Sequence, residues 1–225
     1  MVGATEMIVD KRFGELLDVR DFLVSSTGVR RIAELDIHSA IKEVINIQYP
    51  LTVRGDFDDS HSSHAFNLSG IPLLGIIFFS KNNYNYHDFW QFPHETLLHQ
   101  IGDCEDTTIL LGRILLEKDI IFRVNLGKVF YGEQFLGWHA WITTKLFGTA
   151  WFLIETTLDY VPQDWLKLPT EDLFAIAKYL NLTYEPIWVF DQINVYVKEG
   201  AENLTAKNVA AEPEKIRKIK EEWQN

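Results

Sequence analysis

A change of hydrophobic period at Asp119 is the feature that most limits what this chain can fold into. Upstream, Cys104 to Glu117 carries Ile109, Leu110, Leu111, Ile114 and Leu115 on several sides of a helical projection. That pattern suits a helix sunk in a core better than one lying on a surface. Downstream the apolar residues alternate, and strands are predicted over Ile121–Tyr131, Trp138–Leu146 and Trp151–Glu155. A buried helix feeding a run of strands predicts an α+β domain.

The rest of the chain fits around this centre. Ile32, Leu35, Ala40, Ile41, Val44 and Ile45 recur at helical spacing between Arg30 and Gln48, and Pro50 ends that segment. Arg54 to Ser69 reads as a polar loop, Ile71 to Phe79 as a buried helix or strand, and Ser80 to Asp88 as an Asn-rich loop. Pro93 opens a short helix that runs to about Gln100, with Gly102 breaking it before the long helix. Thr170 caps a helix over Glu171–Leu180, Ile187–Val197 is one more strand, and Glu212–Asn225 is a charged helix supported by Glu214 and Lys218. The expectation is a single domain over 1–225, with its core at about 30–198 and a peripheral helical tail at 200–225.

Seven Trp, eight Tyr and fifteen Phe supply the bulk for a core without disulfides, and the single cysteine allows none within the chain. It also rules out a multi-cysteine metal site. A formal charge of −11 argues against a nucleic-acid partner, because phosphate binding needs clustered Lys and Arg. The run Ile71–Phe79 is too short to span a bilayer, and the N-terminal stretch has scattered charges and no apolar signal segment. The location expected on these grounds is cytoplasmic, with no membrane partner.

Cys104 is either a buried structural thiol or a nucleophile. Gly102-Asp103 precede it and the apolar helix starts at it, so the thiol meets the unsatisfied N–H groups and positive dipole end that stabilise a thiolate. The same amides can bind the oxyanion formed when a thiolate attacks a carbonyl. His139 lies in Gly137-Trp138-His139-Ala140-Trp141, and strand alternation puts it on one face with Trp141 and Thr143. Glu155 closes the apolar run Trp151-Phe152-Leu153-Ile154, where a buried carboxylate needs a partner.

Loop geometry connects the last two. A three-residue Leu146-Phe147-Gly148 loop pairs Lys145 with Thr149 and sets His139 directly opposite Glu155. A two-residue Phe147-Gly148 turn moves the register by one and puts them on opposite faces. Asp159 is then the fallback acid.

Trp90-Gln91-Phe92-Pro93-His94-Glu95-Thr96-Leu97 with Gly102-Asp103-Cys104-Glu105-Asp106 resembles the cysteine region of transglutaminase-like cysteine peptidases. Trp138-His139-Ala140-Trp141 is similar to that superfamily's histidine motif, and Trp151-Phe152-Leu153-Ile154-Glu155-Thr156-Thr157 to its third motif. The resemblance covers about Trp90 to Pro162, with the motifs in the family's order. It implies a papain-like, transglutaminase-like core in which a nucleophile at a helix N-terminus packs on an antiparallel sheet carrying the histidine and the acid. Two departures stand out: Glu155 where the family usually has Asp, and Thr156 where it has Pro.

The resemblance also implies roles. Cys104, His139 and Glu155 form the catalytic triad, Gln91 and Trp90 are candidates for a second oxyanion donor, and Asp103 and Glu105 are candidates for a Ca²⁺ site. Asp58, Asp59, His61 and His64 lack a helical or strand scaffold and read as a solvated loop rather than a metal site. The expected activity is cleavage of a peptide or isopeptide amide in a protein or peptide substrate through a thioester. Acyl transfer to an amine and a catalytically idle protein-interaction module are the alternatives.

Overall fold

The computed structural model describes residues 1–4, 8–12, 15–47, 90–100, 102–146, 151–157 and 182–200. The expectations for 54–88, for Phe147 and Gly148 of the predicted loop, for Asp159, for the helix at 171–180 and for the tail at 212–225 lie outside the described residues.

The long apolar segment forms α4, Cys104–Glu117, buried along most of its length. Asp103 precedes it in an extended conformation, and Asp106 accepts the Asp103 N–H at 3.3 Å, so a carboxylate sits in the first turn where the helix dipole favours it. Around α4 lie α1, Thr27–Ala33, α2, Ile37–Ile45, and α3, Pro93–His99. The apolar period from Arg30 onward predicts one helix, and the structure has two. Asp36 accepts from the N–H groups of His38 and Ser39 at 3.0 Å each and starts a fresh helix there. Side-chain capping overrides the apolar repeat at that point.

Downstream of α4 the chain forms β4, Phe122–Tyr131, β5, Gln134–Thr144, and β6, Phe152–Ile154. Gly132, at φ 57°, occupies the first position of the two-residue loop joining β4 to β5. With β7, Leu182–Phe190, β8, Val195–Val197, and β1, Val2–Ala4, they make a six-stranded antiparallel sheet ordered β1-β8-β7-β4-β5-β6. The single strand expected over Ile187–Val197 is thus two strands. Asp191 accepts from the N–H groups of Ile193 and Asn194 at 2.8 Å each and turns the chain between them. A separate hairpin pairs β2, Ile8–Arg12, with β3, Glu15–Asp18.

The core joins α4 to one face of this sheet. Ile109, Leu110, Leu111, Ile114 and Leu115 pack with Phe122, Val124, Leu126, Ala140, Ile142 and Ile154. Residues ahead of Arg30 belong to it as well: Val19, Phe22, Leu23 and Val29 are all buried there. Among the described residues no helix is long and apolar enough to cross a membrane.

At Gly127 the neighbouring strand comes close to the backbone. It pairs with His139 on one side, and the ladder to β7 shifts register beside it. A Cβ on Gly127 would lie 2.1 Å from the Glu185 carbonyl oxygen, which is backbone and cannot rotate away. Gly127→Ala is therefore expected to lower unfolding free energy by about 3 kcal/mol in urea titration. A variant as stable as the parent would show that β7 yields there at no cost.

Candidate active site

Glu155 is 7% exposed and follows directly on β6, while His139 is 4% exposed within β5. His139 Nε2 and Glu155 Oε2 are 2.8 Å apart. The hairpin reaches this by a different register from the one expected. Ile142 pairs with Ile154, Thr143 with Leu153 and Thr144 with Phe152. Continued by one step, that ladder puts Glu155 opposite Trp141, so His139 is its diagonal neighbour. A shift of two residues keeps every side chain on its original face, which is why the pair still meets. Diagonal neighbours stand about 7–8 Å apart at the backbone, against about 5 Å for direct partners. The extra methylene of Glu over Asp suits that longer reach.

The carboxylate is held from four directions. Thr157 donates its backbone N–H at 3.2 Å and its hydroxyl at 3.0 Å to Glu155 Oε1. Tyr184 donates its hydroxyl to Oε2 at 3.1 Å, beside the imidazole. Burial is the largest influence on Glu155 and raises its pKa. The charge and hydrogen bond of His139 together with the two Thr157 bonds outweigh it, so the group is held below the usual carboxylate value. Tyr184 is pushed well above the usual phenol value, first by burial and then by the charge and hydrogen bond of Glu155. The site therefore holds an ionised Glu155 and a neutral Tyr184 at neutral pH.

Cys104 is 6% exposed at the start of α4. Thr107 and Thr108, in the next turn, lie 2.9 and 3.1 Å from the Thr156 hydroxyl. Thr108 is four residues from Cys104 and so on the same helix face. The thiol-bearing face of α4 is thereby tied to the segment that carries Glu155. Thr156, the residue that stands where the resembled family has Pro, makes this tie.

The Cys104 thiol donates to Glu105 Oε2 at 3.2 Å. Asp103, Cys104 and Glu105 are all buried, and one ligating atom from each lies within 4.8 Å of the others. Asp106 is committed elsewhere: its two oxygens accept the backbone N–H and the side-chain amide of Gln91, each at 2.7 Å. Gln91 is thus docked, fully buried, on the first turn of α4. Trp90 lies in the apolar core, its ring 5.7 Å from that of Phe22 in an edge-on arrangement. Gln100 closes α3 at φ 56°, donating its side-chain amide to the Leu97 carbonyl.

Sequence reasoning did not find Tyr184 or the Asp106–Gln91 link. Tyr184 lies on a strand far along the chain from Glu155, and nothing in the spacing of the two pairs them. Asp106 is legible as a helix-start acid, whereas the group it holds is fixed by folding.

No protein-family profile matches the chain. UPF0252 protein PF1496 of Pyrococcus furiosus is 26% identical to it over 124 residues, which is 55% of this chain and 32% of that protein. The chain thus spans about a third of the curated relative's length. Among solved structures it is similar to calcium-bound Legionella pneumophila LapG, at 13% identity and a TM-score of 0.39 over 91% of this chain and 85% of that one. It is also similar to another structure of LapG, at 12% identity and a TM-score of 0.41 over 89% and 83%. At this identity and superposition the likeness carries no argument about the site.

Proposed function

We propose that the chain is a transglutaminase-like cysteine hydrolase of one domain, cleaving a peptide or isopeptide amide with Cys104, His139 and Glu155. The observation that supports it best is the buried His139–Glu155 pair at 2.8 Å on a carboxylate with all its hydrogen-bonding directions used. A histidine packed only as a core residue needs one acceptor for its N–H, and a carboxylate oriented by three further donors goes beyond that need. The Glu155 bond uses Nε2, so Nδ1 is the ring nitrogen that exchanges a proton with the thiol.

In this reading Nδ1 takes the Cys104 proton and the thiolate sulfur bonds to the carbonyl carbon. The carbonyl oxygen takes up the negative charge and is met by the first-turn amides of α4. The imidazolium proton passes to the leaving nitrogen as the C–N bond breaks, releasing the amine and leaving a thioester. Imidazole then takes a proton from water and the hydroxide adds to the thioester carbonyl. The C–S bond breaks, releasing the carboxylic acid and leaving the Cys104 thiolate on the enzyme to be reprotonated by the imidazolium. Glu155 holds the ring in one tautomer and supports its positive charge. Gln91, anchored by Asp106, is the second oxyanion candidate to test first. Trp90 is the weaker candidate, because its ring packs in the core.

One observation favours the idle-module reading. A thiol that donates to the Glu105 carboxylate is protonated, and a neighbouring negative charge opposes thiolate formation. A hard cation held by Asp103 and Glu105 would neutralise these two carboxylates. The oxygen-rich donors suit Ca²⁺, and the six or more ligands it takes require further carbonyls or water. If Ca²⁺ is held there, excess chelator should lower the melting temperature by several degrees and added Ca²⁺ should restore it. A melt insensitive to both leaves Asp103 and Glu105 as helix-start acids.

The test of the main reading is trapping of an acyl-enzyme. Peptide and isopeptide thioester-forming probes are incubated with the protein, and the intact mass is read. An adduct on Cys104 that water discharges supports hydrolysis, and one that an added primary amine discharges faster supports acyl transfer. No adduct, together with slow alkylation of Cys104 at mildly acidic pH, would leave an interaction module.

A further inference from the structure

Tyr184 lies outside the stretch Trp90–Pro162 that carries the sequence resemblance, yet its side chain enters the candidate site. On β7 it pairs with Val129, two residues along β4 from the Gly127 that pairs with His139. Its hydroxyl meets Glu155 Oε2 at 3.1 Å, and that same oxygen lies 2.8 Å from His139 Nε2. Its ring stands edge-on to Trp141 at 5.1 Å and tilted to the His139 ring at 6.5 Å.

We infer that Tyr184 is a positioning residue for the catalytic imidazole, acting through Glu155, an inference that rests on the triad reading above. A carboxylate rotates about its terminal torsion, which has broad preferences. Thr157 fixes Oε1 from residues adjacent in sequence, and that alone leaves the carboxylate plane free to rock about Oε1. The Tyr184 hydroxyl pins the second oxygen where the imidazole N–H meets it. Packing on Trp141 removes the phenol's own freedom, so its contact with Glu155 is held at little further entropic cost. Each oxygen of an ionised carboxylate accepts two hydrogen bonds, so Oε2 takes both donors and the phenol orients it without displacing the imidazole.

Tyr184→Phe removes one oxygen and keeps the ring on Trp141, and circular dichroism checks that the variant folds. Two readouts are taken: the rate of Cys104 alkylation by iodoacetamide at fixed pH, and the low-field proton resonance of the His139 Nε2–H. The expected results are alkylation about tenfold slower, the size of one lost hydrogen bond to a charged group, and a resonance broadened or absent. A folded variant with native alkylation and an unchanged resonance would overturn the inference. So would a lowered melting temperature with both readouts unchanged, since that is the mark of a packing role alone. His139→Ala is measured alongside to separate the two levels. If it alkylates as fast as the parent, the triad reading itself has failed and the assignment of Tyr184 falls with it. If it is slow while Tyr184→Phe is native-like, the triad stands and only the role of Tyr184 is lost.

Discussion

Cys104→Ala is expected to abolish acyl-enzyme formation altogether, and His139→Ala to lower it on the order of 10⁴-fold or more. On the proposed mechanism the first removes the atom that bonds to the acyl carbon, and the second removes both the base that takes the thiol proton and the acid that delivers it to the leaving nitrogen. Combining the two should cost nothing beyond Cys104→Ala, because the residues act as one unit. The first change is also mild for the fold: it deletes one sulfur from a site 6% exposed beside two carboxylates. Measured turnover that survives in folded Cys104→Ala would end the cysteine-hydrolase reading.

Removal of the Glu155 carboxylate has the second large effect, and it falls on stability as well as activity. Glu155→Ala strips a partner from His139, Tyr184 and Thr157 at once and leaves a cavity among them. Losing one member of a buried hydrogen-bonded pair costs about 3–5 kcal/mol, enough to consume much of a domain's margin. Glu155→Gln fills the same space and should lose less stability, while slowing acylation because the charge opposite the imidazolium is gone. Glu155→Asp is the sharper test of geometry. The shortened side chain has to span a diagonal rather than a direct cross-strand separation, so Asp should behave closer to Gln than to Glu. Acylation at the parent rate in Glu155→Asp would show that the backbone closes the gap.

The same carboxylate gives stability a pH dependence of known sign. Its folded-state pKa lies below the ordinary value of about 4.3. The unfolded chain therefore takes up the proton first on acidification. The contribution is complete above the ordinary value and is lost as pH falls through the folded one. Denaturant midpoints measured between pH 6 and 3 should decline, and the decline should be shallower in Glu155→Gln. Equal slopes would place the acid sensitivity in other carboxylates.

Much of the site was legible in the chain before folding because its chemistry is written locally. Cys104 opens α4 because acidic residues at its first turn and the long apolar segment that follows both favour a helix start at that point. His139 and Glu155 share a face because strand alternation has a period of two, so a ladder displaced by two residues still brings them together. Glu155 was identifiable because a carboxylate ending an apolar run demands a partner. The exact pairing was not legible, since the sequence between the two strands admits several loop lengths that place one glycine suitably.

What the tertiary structure alone decided are the contacts between segments far apart in sequence. Tyr184 reaches Glu155 only because β7 lies against β4 in the sheet order. The Asp106 hold on Gln91 depends on how the segment before α3 docks on α4, and the Thr156 bridge on how β6 sits beside that helix. Helical and strand periods fix which way a residue faces within its own element. Which element stands opposite depends on the packing of the whole core, and no repeat in the sequence encodes it. For that reason the acid and its histidine could be named from the sequence, whereas the phenol that completes the acid's shell could not.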